Sequence, residues 1–170
     1  MKTYDKDSKN LLQRKPGYKK ADSVKELEVM ANAEARRLHP TMPYLAPRTF
    51  RDDSANNLTK CIINFLHLSG HQAERINSTG RYLDGSKVVK DCLGRQMRIG
   101  SGKWIHGAGQ KGTADISATI KGLSVKIEVK MKDKQSPDQK IYQEQVERAG
   151  GLYFVARDFT SFKQWFDELN

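Results

Sequence analysis

The 170-residue chain is predicted to fold as an α/β domain, and three observations carry that prediction. Residues 115–120 and 123–130 alternate apolar and polar side chains around Lys121-Gly122, the pattern of a β-hairpin with a two-residue turn. Ser136-Pro137-Asp138-Gln139 opens a helix, and the short apolar run 152–156 behind it reads as a buried strand. Two further stretches, 54–69 and 160–169, gather their apolar residues on one side of a helical repeat.

Taken in order, residues 1–21 are polar, Lys-rich and carry Pro16-Gly17, so they read as a mobile arm. Ser23-Val24-Lys25-Glu26 has the form of a capping box, in which hydroxyl and carboxylate satisfy the first turn of a helix. Val24, Leu27, Ala31, Ala35 and Leu38 then form a narrow apolar stripe, which stops before Pro40. Pro40, Pro43 and Pro47 make 40–50 a stiff linker, so 1–50 is set apart as a basic extension and 51–170 as the domain. Asp53 or Ser54 caps the next helix, where Leu58, Cys61, Ile62, Phe65 and Leu66 share a face and Gly70 ends it. Residues 72–78 read as a strand. Residues 79–112 are Gly-rich, basic and poorly periodic, with a short strand at 87–90. The helix begun at Ser136 ends at Gly150-Gly151, and the last helix carries Phe162, Trp165, Phe166 and Leu169 on one side.

Composition narrows the function classes. Thirty Lys and Arg against twenty Asp and Glu give a net charge of +10, which favours a polyanionic partner. The surplus is local: residues 1–20 and 81–111 each carry a net +5, while 141–170 carry −2, so one face is expected to meet phosphates. No apolar run approaches the ~18 residues of a membrane helix, and MKTYDKDSKN has no apolar core of a secretory signal. An acidic-membrane partner would call for a basic amphipathic helix with aromatics, which the chain lacks. Cys61 and Cys92 make neither a disulfide framework nor a zinc quartet, and a reduced, cytoplasmic protein is expected.

The hairpin allows arithmetic. With Lys121 and Gly122 as the turn, facing residues sum to 243, so Asp115 faces Glu128 and Thr113 faces Lys130. Period-two alternation puts Ile116, Ala118, Ile120, Leu123, Val125, Ile127 and Val129 on one face, and Asp115, Glu128 and Lys130 on the other. Two carboxylates opposed at Cβ separations of ~5 Å repel each other. A divalent cation between them turns the repulsion to use, and hard oxygen ligands suit Mg²⁺. A lysine one pleat along can hold an attacking water or the charge of a phosphate. The competing reading makes Glu128 and Lys130 ordinary charges of a solvent face.

Gly112-Thr113-Ala114-Asp115-Ile116, Ile127-Glu128-Val129-Lys130, Ser136-Pro137-Asp138-Gln139 and Ala149-Gly150-Gly151, in this order and spacing, resemble the VRR-NUC domain (virus-type replication-repair nuclease) of the PD-(D/E)XK nucleases. A weaker likeness reaches back through Arg75-Ile76-Asn77 to the helix at 54–69, and 1–50 is not covered. The resemblance implies a restriction-endonuclease-like core, a mixed β-sheet flanked by helices, with Mg²⁺ or Mn²⁺ at the hairpin. It makes Asp115 and Glu128 metal ligands, the Val129 carbonyl a third, and Lys130 the catalytic lysine. Gln139 matches a glutamine beside the metal, although the helix cap claims the same amide. It further implies a metal-dependent endonuclease on DNA, structure-selective for branched substrates such as Holliday junctions. Such an enzyme would act as a homodimer in phage-type replication, recombination or repair. A nickase or flap-processing nuclease and an inactive nucleic-acid-binding module are the alternatives.

The chain departs from the family at two places. Ala114 stands where many relatives have Pro, and helix 55–69 has no acidic residue where many carry a ligating Glu. Glu74 is the candidate replacement; its other reading is a surface charge beside Arg75. Arg75, Arg95, Arg98, Lys103 and Lys111 are candidate DNA contacts, the last four in a Gly-rich loop suited to a phosphate backbone. Trp104 either stacks on a base or closes a core edge. Gly102-Lys103 is no nucleotide-phosphate loop, because Met97 and Trp104 replace the required Gly and Ser/Thr, so no nucleotide cofactor is expected. His67 and His71 are split by Gly70 and read as non-ligands, and His106 as a surface histidine.

Overall fold

In the computed structural model, residues 17–77, 80–105, 107 and 109–169 are described. The first sixteen residues of the expected arm, and His106, lie outside them. The elements run α1 (Asp22–Leu38), α2 (Ala55–Leu68), β1 (Gln72–Arg75), β2 (Arg81–Leu83), β3 (Lys87–Lys90), β4 (Gln96–Ile99), β5 (Lys103–Ile105), β6 (Ile116–Ile120), β7 (Leu123–Val129), α3 (Pro137–Arg148), β8 (Leu152–Ala156) and α4 (Phe159–Glu168). The fold is mixed α/β. Its main sheet has the order β1-β6-β7-β8, antiparallel except for the β7–β8 pair, which is parallel. Among the described residues no helix is long and apolar enough to cross a membrane.

The hairpin forms in the expected register: Ile120 pairs with Leu123 and Ile116 with Ile127, each pair summing to 243. Lys121 (φ 50°) and Gly122 (φ 81°) both take the left-handed conformation that a tight, strand-compatible turn demands. Ile116, Ala118, Ile120, Val125, Ile127 and Val129 are buried on one face, against α2 and α4. Leu123 is the exception on that face. It is exposed beside the turn, at the end of its strand. Phe65 of α2 anchors the helical layer with edge-on rings from Phe159, Phe162 and Phe166, 5.0–6.1 Å between centroids. Full burial of such side chains contributes roughly 1.5–3 kcal/mol each. Cys61 belongs to this core, and burial pushes its thiol up to about 12.

Helix α1 packs against the elements that follow the Pro-rich segment. Val24 and Leu27 of α1 are fully buried in the same core as α2 and the sheet. Ala31 and Ala35, also buried, continue that inner face. The Pro-rich segment is tied back onto α1, with Arg48 N–H donating to Asn32 (2.8 Å) and Phe50 N–H to Glu28 (2.7 Å). The capping box at Ser23 is absent. The helix begins at Asp22, and Ser23, buried inside its first turn, hydrogen-bonds Thr160 of α4 instead (2.8 Å). Tertiary burial overrides the local cap.

The sequence also under-reads 79–112. Besides the expected strand at 87–90, three more strands form there, β2, β4 and β5, in two-stranded pairs β2–β5 and β3–β4. All four strands are exposed along their whole length.

Candidate metal-binding and catalytic site

The face of β6–β7 away from α2 carries the site. Glu128 and Lys130 project from the end of β7, and Asp115 immediately precedes β6. Asp115 is fixed twice: its carbonyl accepts Ile76 N–H (2.8 Å), and its carboxylate accepts Val129 N–H (2.9 Å). Val129 thus joins the two acidic positions through its own peptide group, while its side chain is in the core.

Glu128 is 2% exposed. One carboxylate oxygen, Oε1, accepts from Gln139 Nε2 and faces Lys130 Nζ at 3.0 Å. The other, Oε2, is buried with no hydrogen-bond partner among the described residues. Burial pushes the Glu128 carboxyl up, and the Asp115 charge adds to this, against the hydrogen bonds from Lys130 and Gln139. A core built for stability alone would not leave a buried carboxylate oxygen unmatched beside a second acid. A hard cation on Oε2 would satisfy that oxygen and neutralise the repulsion, so the donor set fits the divalent ion the sequence implied.

Gln139 resolves its two competing roles by using both ends of the amide. Its Oε1 accepts Ser136 N–H (2.9 Å) as half of the capping box, and its Nε2 donates to Glu128. Its carbonyl oxygen is committed to the helix cap, and its amide nitrogen holds Glu128. Gly112 lets the helix come this close. At φ +77°, it packs so tightly on α3 that a Cβ would lie 2.3 Å from the Asp138 carbonyl oxygen. Lys111, next to it, is exposed beside the first turn of α3.

The remaining candidates divide. Glu74 does pair beside the hairpin, but opposite Ser117 rather than Asp115, and it is exposed. Among the described residues no three His, Cys, Asp or Glu side chains gather in one place. Arg75 pairs with Ile116 and therefore lies on the opposite face from Asp115 and Glu128, away from the site. Arg95, Arg98 and Lys103 sit in the 81–105 segment, where Arg98 is held by Asp84 and Ser86. Trp104 is 53% exposed and closes no core edge. His67 Nε2 lies 2.7 Å from the Ala73 carbonyl oxygen, linking α2 to β1.

Sequence reasoning missed one residue at the site. Tyr153 of β8 stands opposite Lys126, and its hydroxyl is buried. Burial, with Glu128 second, pushes its ionisation up, so it is held as the neutral phenol. The apolar run 152–156 concealed it, because an aromatic in a buried strand reads as core. In comparisons with known proteins, no family model matches the chain and no curated protein does.

Proposed function

We propose that this protein is a divalent-metal-dependent endonuclease of the PD-(D/E)XK type, VRR-NUC-like, hydrolysing phosphodiester bonds in DNA. The observation that carries the reading is the buried Glu128, with one oxygen unmatched, flanked on one sheet face by Asp115 and Lys130. Asp115, Glu128 and the Val129 carbonyl would hold Mg²⁺ or Mn²⁺. That ion, when bound, supplies Lewis acidity toward the scissile phosphate and acidifies water. Lys130, 19% exposed and 3.0 Å from Glu128, presents its ammonium at the rim, where it binds a phosphate oxygen and balances charge in the transition state. Gln139 fixes the rotamer of Glu128. The net charge of +10 supports a nucleic-acid substrate. A branched DNA substrate and a homodimer rest on the family resemblance.

The test is cleavage of labelled linear, flap and four-way-junction DNAs with Mg²⁺, Mn²⁺ or EDTA. Cleavage with either metal, lost in EDTA and in Asp115→Asn and Glu128→Gln while binding persists, is the expected outcome. Near-normal activity in both variants would remove the assignment. Binding without cleavage under any metal would favour the second reading, a nucleic-acid-binding module; the gathering of no more than two carboxylates among the described residues is what favours it.

A further inference from the structure

The 81–105 segment is one long ribbon. Both of its strand pairs share a single register: Arg81 with Ile105 and Lys87 with Ile99, each summing to 186. The interruption at 84–86 and 100–102 leaves that register intact. Its tip is well formed, with Asp91 accepting from Leu93 (2.9 Å) and Arg95 (2.8 Å) backbone N–H. No strand of the ribbon packs substantially on the main sheet or its helices.

Register and alternation divide the ribbon into two faces. In β3–β4 one face carries Val89 (41% exposed), Met97 (52%) and Ile99 (58%) with Lys87, and in β2–β5 one face carries Leu83 and Ile105 with Arg81 and Lys103. The cations on this side of the two pairs are Arg81, Lys87 and Lys103, and beyond β3–β4 the same register adds Arg95 and Asp91 at the tip. Asp84 lies on the other face bound to Arg98, and Asp91 is used in the tip turn. Among the described residues, none of Arg81, Lys87 and Lys103 forms an ion pair.

We propose that the ribbon is an arm that enters a groove of a double-stranded nucleic acid. Arg81, Lys87 and Lys103 neutralise phosphates, and the aliphatic side chains between them lie against sugars and base edges. Charge selects this occupant. A second copy would set three unpaired cations against three others, whereas a duplex offers phosphates to all of them. A lipid surface is disfavoured because cations stand on both faces, Lys90 and Arg98 on the second, so neither is wholly apolar. The dimensions agree: strands of three and four residues with a three-residue link between them reach at most ~33 Å at ~3.3 Å per residue, about one helical turn of duplex, and the ~12 Å major groove admits a two-stranded ribbon.

This inference deepens the proposed function and rests on its nucleic-acid reading. It is tested by duplex binding in EDTA, where cleavage plays no part, across a salt series. Each phosphate contact contributes ~0.9 to the slope of log K against log salt. The triple variant Arg81→Gln/Lys87→Gln/Lys103→Gln should therefore flatten the slope by ~2–3 and weaken binding at 0.1 M salt by on the order of 10²-fold. Met97→Ser/Ile99→Ser should weaken duplex binding severalfold with the slope unchanged. Both should keep the wild-type unfolding midpoint, because the ribbon lies outside the core. Duplex affinity and slope unaffected by the triple variant would overturn the proposal, even if wild type cleaves DNA and the nuclease reading stands. Ribbon-dependent binding without cleavage in any metal would do the reverse. Equal losses on single strands, or variants that change sedimentation or binding to anionic vesicles instead, would also overturn it.

Discussion

Replacing Glu128 by Gln should make the metal-free protein more stable while removing its response to Mg²⁺. The substitution keeps shape and deletes one buried charge. At an effective dielectric near 20, a like charge set at the ~5 Å Cβ spacing of facing strand residues costs about 3 kcal/mol, and attraction to Lys130 at 3.0 Å returns about 5 kcal/mol. Burying the ion costs several kcal/mol more, so ionised Glu128 is a net loss of the order of 1 kcal/mol or somewhat above. The raised carboxyl has the same sign.

Its pH dependence follows. The folded protein holds the Glu128 proton to higher pH than the unfolded chain, whose glutamate has its ordinary value of 4.5. Wild-type stability should therefore fall as pH rises from 4.5 through the folded-state value, with the penalty fully present above it. Glu128→Gln lacks this fall. Saturating Mg²⁺ should reverse the order: a cation at ten times its Kd stabilises wild type by RT ln 11, about 1.4 kcal/mol, and leaves the variant unmoved. Urea unfolding from pH 4 to 8, with and without Mg²⁺, reads all of this. A variant less stable than wild type at pH 7 without metal would refute the electrostatic argument, and one that gains as much from Mg²⁺ would refute the ligand assignment.

Lys130→Ala should lower the cleavage rate by on the order of 10²-fold with DNA affinity nearly kept, read by single-turnover kinetics. Ser136→Ala should cost about 1 kcal/mol of stability through the cap alone, while Gln139→Ala should cost the cap and also lower cleavage, since only Gln139 reaches Glu128; equal rates in the two variants would deny Gln139 its orienting role. Leu27→Ala should destabilise the whole domain by roughly 2–5 kcal/mol in one cooperative transition, where a detachable extension would lose almost nothing. Glu74→Gln should retain Mg²⁺ affinity and most of the rate; a loss comparable to Asp115→Asn would place Glu74 among the ligands.

Where side chains obey a short period, the sequence was legible. The hairpin register followed from one turn and the alternation around it, and with it the juxtaposition of Asp115 and Glu128. The caps of α2 and α3, at Ser54 and Ser136, were legible for the same local reason. What long-range packing decides was not. Ser23 gave up its cap to a partner 137 residues away, and α1 joined a core that its narrow stripe did not announce. The ribbon escaped notice because strands exposed on both faces carry no buried stripe, and the strand signal is mostly a signal of one-sided burial. Gln139 looked overcommitted only while its amide was counted as one group; acceptor and donor ends point to different partners.

The number of cations the site could take follows from its charge. Asp115 and Glu128 supply −2, and Lys130 returns +1 within 3.0 Å of Glu128. One divalent ion brings this cluster to about +1, a fair match for the single negative charge of a bridging phosphate. A second would bring it to +3, and no third carboxylate among the described residues stands ready to offset it. Under the proposed function the site is therefore a one-cation site, with Lys130 in the place a second metal would take beside the phosphate. The titration that checks this counts bound Mn²⁺ by electron paramagnetic resonance in wild type and in Lys130→Met. Wild type should bind one ion. The variant, without the ammonium, should bind that ion more tightly, because the Lys130 charge opposes the cation across the same Glu128 carboxylate. Two equivalent ions in wild type would mean that ligands outside Asp115 and Glu128 enter the site.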